Sequence, residues 1–161
     1  MFLQLLHIAQ AGLAAYGGQQ SYTAVTNLQK YEDAAKKAAK YSNEAQRQLH
    51  KTRTTQTSGA LAITASLLTS LYLFWRGGQG GILYRFIASP VMAAAVYFAR
   101  THIAQYWSGS KGGKTAGARV PLPKMGDYNE AQRRTEELLQ VLDYLMFSWV
   151  ATALVALFKG Y

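Results

Sequence analysis

The sequence predicts an all-α integral membrane protein with three to four transmembrane helices, built as a single membrane domain over residues 1–161. Three observations predict this class. Only 16% of the residues are charged, against roughly 25% in a typical soluble domain. The apolar half of the chain is segregated into four segments, although the mean hydropathy is only −0.07. Lys and Arg alternate in abundance from one connection to the next, the charge pattern that orients membrane spans.

The first apolar segment, residues 2–16, is short and weak, so it either spans or lies in the interface. Gln4, His7 and Gln10 recur every third residue and share one helical face. Spanning completes the charge alternation and turns that face toward protein. His7 reads as a hydrogen-bonded packing residue rather than a ligand.

Residues 21–57 read as one long polar helix with Ser21 as its cap. Leu28, Tyr31, Ala35, Ala38, Ala45 and Leu49 form a heptad-like stripe, with Ser42 in the gap. A seam made mostly of Ala permits close approach of a partner helix but is marginal alone. No Pro or Gly interrupts residues 19–58, so one helix can run from this stalk into the second apolar segment. The basic residues of the 19–57 and 100–137 connections are solvated surface or contacts to anionic phospholipid headgroups, with Lys36, Lys37, Lys40, Lys111 and Lys114 as the lipid candidates.

The second segment, 59–75, has no charge at all, where a soluble helix of that length normally shows a polar face. Its small residues Gly59, Ala62, Ser66 and Ser70 fall on one face and mark a helix-packing interface. The third segment, 82–99, offers Ser89 and Ala93 for the same purpose, and Pro90 is expected to kink it. The Gly-rich turn 76–81 joins the two as a tight hairpin. Tyr72, Trp75 and Tyr84 at one end, and Tyr97, Tyr106 and Trp107 at the other, read as interfacial aromatic belts.

Residues 108–126 are rich in Gly, Ser and Lys and read as a loop. Asp127 with Glu130 has capping-box spacing and opens an amphipathic extension over about 127–137. That extension leads into the fourth segment, 138–158, which carries one charge, Asp143. Spans need roughly 17–25 predominantly apolar residues, and the second and fourth segments meet that well.

Seven basic residues lie between the first and second segments and seven between the third and fourth. Arg76, Arg85 and Lys159 are the others. Both long polar connections are therefore placed on the cytosolic or matrix side. A short second span suits a thin bilayer such as the endoplasmic reticulum. The bacterial inner membrane and the mitochondrial inner membrane obey the same charge logic.

The motifs that suggest chemistry are weak. Gly112-Gly113-Lys114-Thr115 has Ser108 where a phosphate-binding loop needs Gly, and no strand precedes it, so no nucleotide is expected. Basic residues split between two connections do not form a nucleic-acid footprint. With three His and no Cys, no metal spacing or catalytic triad emerges, and neither an enzyme nor a cofactor is expected.

Asp143 is the most informative charge, about 7–8 Å inside its segment at 1.5 Å per residue. Intramembrane carboxylates are costly and usually paired or functional. Arg100 ends the third segment on the same side and can pair with it, whereas Arg85 lies at the opposite end. The functional expectation is a non-catalytic accessory, assembly or scaffold subunit whose partners are other membrane protein subunits. The alternatives are an oligomeric transporter or channel using Asp143, and a lipid-binding or membrane-shaping protein.

Overall fold

The structure is a computed structural model that describes residues 1–40, 43–76, 86–107 and 125–159. It has four long helices, α1 (Phe2–Ala39), α2 (Asn43–Arg76), α3 (Ala88–Trp107) and α4 (Met125–Lys159), and no strand among the described residues. Each helix packs on two neighbours, in the cyclic order α1, α2, α3, α4 and back to α1.

Specific contacts fix the directions. Gln10 of α1 meets Thr152 of α4, Arg53 of α2 pairs with Glu32 of α1, and Tyr106 of α3 meets Thr52 of α2. In each pair a residue early in one helix faces one late in the next. The helices therefore alternate up, down, up, down, the bundle topology that short connections favour. The starts of α1 and α3 share one end with the finishes of α2 and α4.

The first departure from sequence expectation is in α1. Residues 2–16 and the start of the polar stretch are one helix, which continues through Gly17 and Gly18 to Ala39. Gly costs about 1 kcal/mol relative to Ala inside a helix. Here it permits a close approach: a Cβ on Gly17 would lie 2.6 Å from Ile63 Cδ1 and 3.0 Å from Val141 Cγ1.

The polar helix expected over 21–57 is likewise not one element. Its first half ends α1, Lys40 is a turn residue and its second half begins α2 at Asn43. The cause lies in the thin seam itself. Leu28 and Tyr31 are buried, and the partner they need is supplied by the chain folding back on itself. Lys36 and Lys37 occupy the last turn of α1, where cations complement the exposed carbonyls.

The third segment also moves. Ile87 is a turn residue and α3 starts at Ala88, which puts Pro90 in the first turn, where a missing N–H is tolerated. Pro90 therefore opens the helix rather than kinking its interior. The next amide, Val91 N–H, donates to the Ile87 carbonyl at 3.0 Å. At its other end α3 runs beyond residue 99, because Ser89, Met92, Val96, Ala99, Ile103 and Trp107 continue one buried stripe. Residues 100–107 thus belong to a helix, not to a polar connection.

In α4, Ala131, Leu138, Leu142, Leu145, Trp149 and Ala156 face the core. The turn 77–81, Tyr84, the 108–124 stretch with its glycine-lysine motif, Arg85, Lys111 and Lys114 lie outside the described residues.

Candidate functional site

Two helical stretches, His50–Arg76 of α2 and Asn129–Phe158 of α4, are long and apolar enough to cross a membrane. Among the described residues α1 and α3 do not meet that measure, because polar side chains lower their average. Some of those polar side chains point inward, whereas Gln4 and Gln19 of α1 and His102 and Gln105 of α3 are exposed, so Gln4 does not share the buried stripe of His7 and Gln10. His7 and Gln10 of α1 are fully buried, as are Ser66 and Ser70 of α2 and Ser89 of α3.

Large apolar side chains recur at the outward positions of all four helices: Tyr16 back to Phe2, Leu61 to Trp75, Phe98 back to Phe86, and Tyr144 to Phe158. At 1.5 Å per residue these stretches rise through about 18–21 Å. They also coincide in height, since Gly17 lies against Ile63 and Val141 and Thr69 against Met92. The result is an apolar girdle around a partly polar interior.

The interior is built from two layers of hydrogen bonds. In the girdle half, His7 Nδ1 and Gln10 Oε1 are 2.8 Å apart. Gln10 Nε2 donates to Thr152 Oγ1 at 3.1 Å, and that hydroxyl donates to the Ser148 carbonyl at 2.8 Å. Beside them Trp149 Nε1 donates to Ser66 Oγ at 2.8 Å, and the His7 and Trp149 rings are 6.1 Å apart and tilted.

In the other half, Trp107 Nε1 donates to Thr55 Oγ1 at 3.0 Å. Gln56 Nε2 donates to Thr135 Oγ1 at 2.8 Å, bridging α2 to α4 across the bundle. Thr135 in turn donates to the Ala131 carbonyl at 2.7 Å. Burial beside this layer raises the Tyr31 phenol above its ordinary pKa, and the Tyr106 phenol adds to the shift. Unmade bonds of buried polar groups are costly, so these pairs select one helix register over its neighbours.

Arg100 and Asp143 form a two-point ion pair between α3 and α4, with Nε to Oδ1 at 2.8 Å and Nη2 to Oδ2 at 3.3 Å. Their side chains are 39% and 34% exposed. Bidentate geometry makes this a strong, oriented contact. Tyr97 and Tyr144, one helical turn or less away, are exposed. The pair thus sits at the girdle's edge, where the guanidinium neutralises the carboxylate.

The small residues singled out from sequence are used inside the bundle. Gly59, Ala62, Ser66, Ser70 and Ser89 are buried, and Ala93 is partly buried against the core. A Cβ on Gly59 would lie 2.9 Å from Ile103 Cδ1 and 3.2 Å from Leu138 Cδ2. Lys36, Lys37 and Lys40 are exposed where α1 ends.

One aromatic departs from the interfacial reading. Trp107 is only 1% exposed, because its indole N–H is spent on Thr55. Trp75 stays 80% exposed.

Sequence reasoning passed over Gly17, Trp149, Thr152 and the Gln56–Thr135 bridge. Gly17 next to Gly18 looks like a boundary, and a hydroxyl in an apolar run looks self-bonded. The available signal was Thr152's position one turn after Ser148 and three residues after Trp149.

Among the described residues no group of three His, Cys, Asp or Glu is placed to hold a metal ion. These features define the class as an all-helical four-helix bundle with two helices of membrane-spanning length and apolarity. No family model matches the chain, and no curated protein or solved structure matches it either.

Proposed function

We propose that the chain is a membrane-embedded four-helix bundle serving as an accessory, assembly or scaffold subunit of a larger membrane protein complex. The observation that carries this reading is a broad apolar outer surface around a core that holds polar side chains bonded between helices. His7, Gln10, Ser66 and Thr152 are set among the apolar core residues, and Leu, Phe, Tyr and Trp recur on the outside over a shared band. Lipid is the solvent in which such a surface is stable, and a polar interior bonded across helices is a common means of holding spans together there.

In this reading α1 and α3 cross alongside α2 and α4. Their buried polar groups, His7 and Gln10 of α1 and Ser89 of α3, are covered by protein. The end carrying Lys36, Lys37 and Lys40 faces the cytosol or the matrix, by the charge rule for spans, and the endoplasmic reticulum or mitochondrial inner membrane is the proposed residence. Pairing within the bundle commits the interior to structure, which leaves the outer surface for partner subunits. The transport alternative relies on Asp143, whose charge is already engaged by Arg100.

The test is the native mass of the tagged protein, extracted from its own membrane in mild detergent, with co-purifying chains identified. A large assembly with stoichiometric partners is the expected result. A monomer or small homo-oligomer overturns the subunit reading.

A further inference from the structure

Among the described residues the α1–α2 pair overshoots α3 and α4. α3 ends at Trp107, level with Thr55, while α2 extends back to Asn43. α4 begins at Met125, nine residues beyond Arg134, which faces Gln20 of α1. The last ten or so residues of α1 therefore pass the start of α4, by about 15 Å at 1.5 Å per residue.

This two-helix tip is basic. From residue 33 to residue 51 the sequence has Lys36, Lys37, Lys40, Arg47 and Lys51 against Asp33 and Glu44. All five basic side chains are exposed.

Height decides what these charges meet. If the girdle edge lies near Gly59, Asn43 stands sixteen residues or about 24 Å beyond it. Lys36 and Lys37 lie four and five residues past Glu32, which pairs with Arg53; that puts them about 15–17 Å beyond the edge. The headgroup layer on each side is only about 5–7 Å thick, so the tip clears the headgroups of its own membrane.

We infer that the α1–α2 tip is a docking element for an acidic surface on the extramembrane part of a partner protein. The inference rests on the membrane-embedded reading above. A partner protein is favoured over a second, apposed membrane because Asp33 is exposed beside the lysines. A uniformly anionic bilayer repels that carboxylate, whereas a protein surface offers it a base. Interspersed charge of both signs sets register and excludes wrong partners.

The chain has no cysteine, which makes the test direct. Lys37→Cys and Leu68→Cys variants of the full chain, in phosphatidylcholine nanodiscs, are nitroxide-labelled and probed with dissolved oxygen, soluble nickel chelate and nickel-chelating headgroups. Leu68 is expected to report lipid, and Lys37 water out of reach of the headgroup nickel. An aqueous signal at Leu68 overturns the membrane reading. Lipid at Leu68 with headgroup contact at Lys37 overturns the tip alone.

The same nanodiscs are then offered a fluorescent acidic peptide of six glutamates with two lysines among them and, separately, phosphatidylserine vesicles, at low salt. The expected result is peptide binding that weakens at least about tenfold in a Lys36→Glu, Lys37→Glu, Lys40→Glu variant, without vesicle recruitment. Vesicle recruitment through these lysines overturns the proposal in favour of an apposed membrane. Peptide binding that ignores the charge reversal, or no binding, overturns it outright.

Discussion

The girdle half and the tip half of this bundle use the same helices in opposite ways. Along Leu61–Trp75 and Tyr144–Phe158 the outer residues are large and apolar, and the polar groups are turned inward and bonded across helices. Toward the tip the outer surface is Lys, Arg and Glu, and ion pairs run along the surface, as between Arg133 or Arg134 and Glu130. α1, α2 and α4 pass through both halves without a break. The change is therefore in the surroundings each half suits, not in the backbone.

The sharpest way to break that contrast is to place the same charge in each half. Leu68→Arg is expected to cost about 3–4 kcal/mol of insertion at the centre of a span, whereas Thr57→Arg is expected to be nearly silent. Glycosylation mapping of integrated chains checks both. Equal tolerance would mean that the girdle does not face lipid.

Gly17→Leu is next in size. Overfilling a tight site costs about 1–3 kcal/mol, and the Cβ alone already conflicts with Ile63 and Val141. A lowered unfolding midpoint in detergent is expected, while Gly12→Leu, which has open space around it, leaves the midpoint unchanged.

Gln10→Leu tests the inner polar layer. Losing one buried partner costs about 1–3 kcal/mol, but cross-helix bonds in membranes average nearer 0.6 kcal/mol, so a loss of about 1 kcal/mol is expected. Combining it with Thr152→Val should add little, because both variants break the same bond. Full additivity in a double-mutant cycle would show that the two residues act separately.

The smallest effect is expected on the polar half's surface. Arg133→Ala removes a pair with Glu130 in which the side chains are 61% and 34% exposed, and exposed pairs are worth about 0–1 kcal/mol. A change in midpoint that vanishes in high salt is the expected signature.

How much of this was legible differs between the same two regions. The chargeless run of α2 and the single-charge run of α4 declare themselves, because a long stretch without charge leaves a compositional mark. The spacing of Arg100 and Asp143 from their segment ends placed both at one height, and the structure brings them within 2.8 Å. The reversal after Ala39 left no such mark. Neither Gly nor Pro punctuates it, and an Ala stripe reads equally well as one straight helix or as two that fold together. Pro90 and Trp107 were misplaced for a related reason. A proline's effect depends on which turn it occupies, and an indole's on whether a hydroxyl stands opposite, and both are set by tertiary packing.

The contact between Gln10 and Thr152 joins residues 142 positions apart. During synthesis α1 is finished long before α4 exists, so Gln10, which can keep its bond to His7 within α1, lacks its cross-helix partner while the rest of the chain is made. Closure of the helix ring therefore waits for α4, and contacts so distant in sequence form slowly. Until α4 arrives, α1 exposes a half-made polar seam, the sort of intermediate that a cell's quality-control machinery is able to recognise and hold.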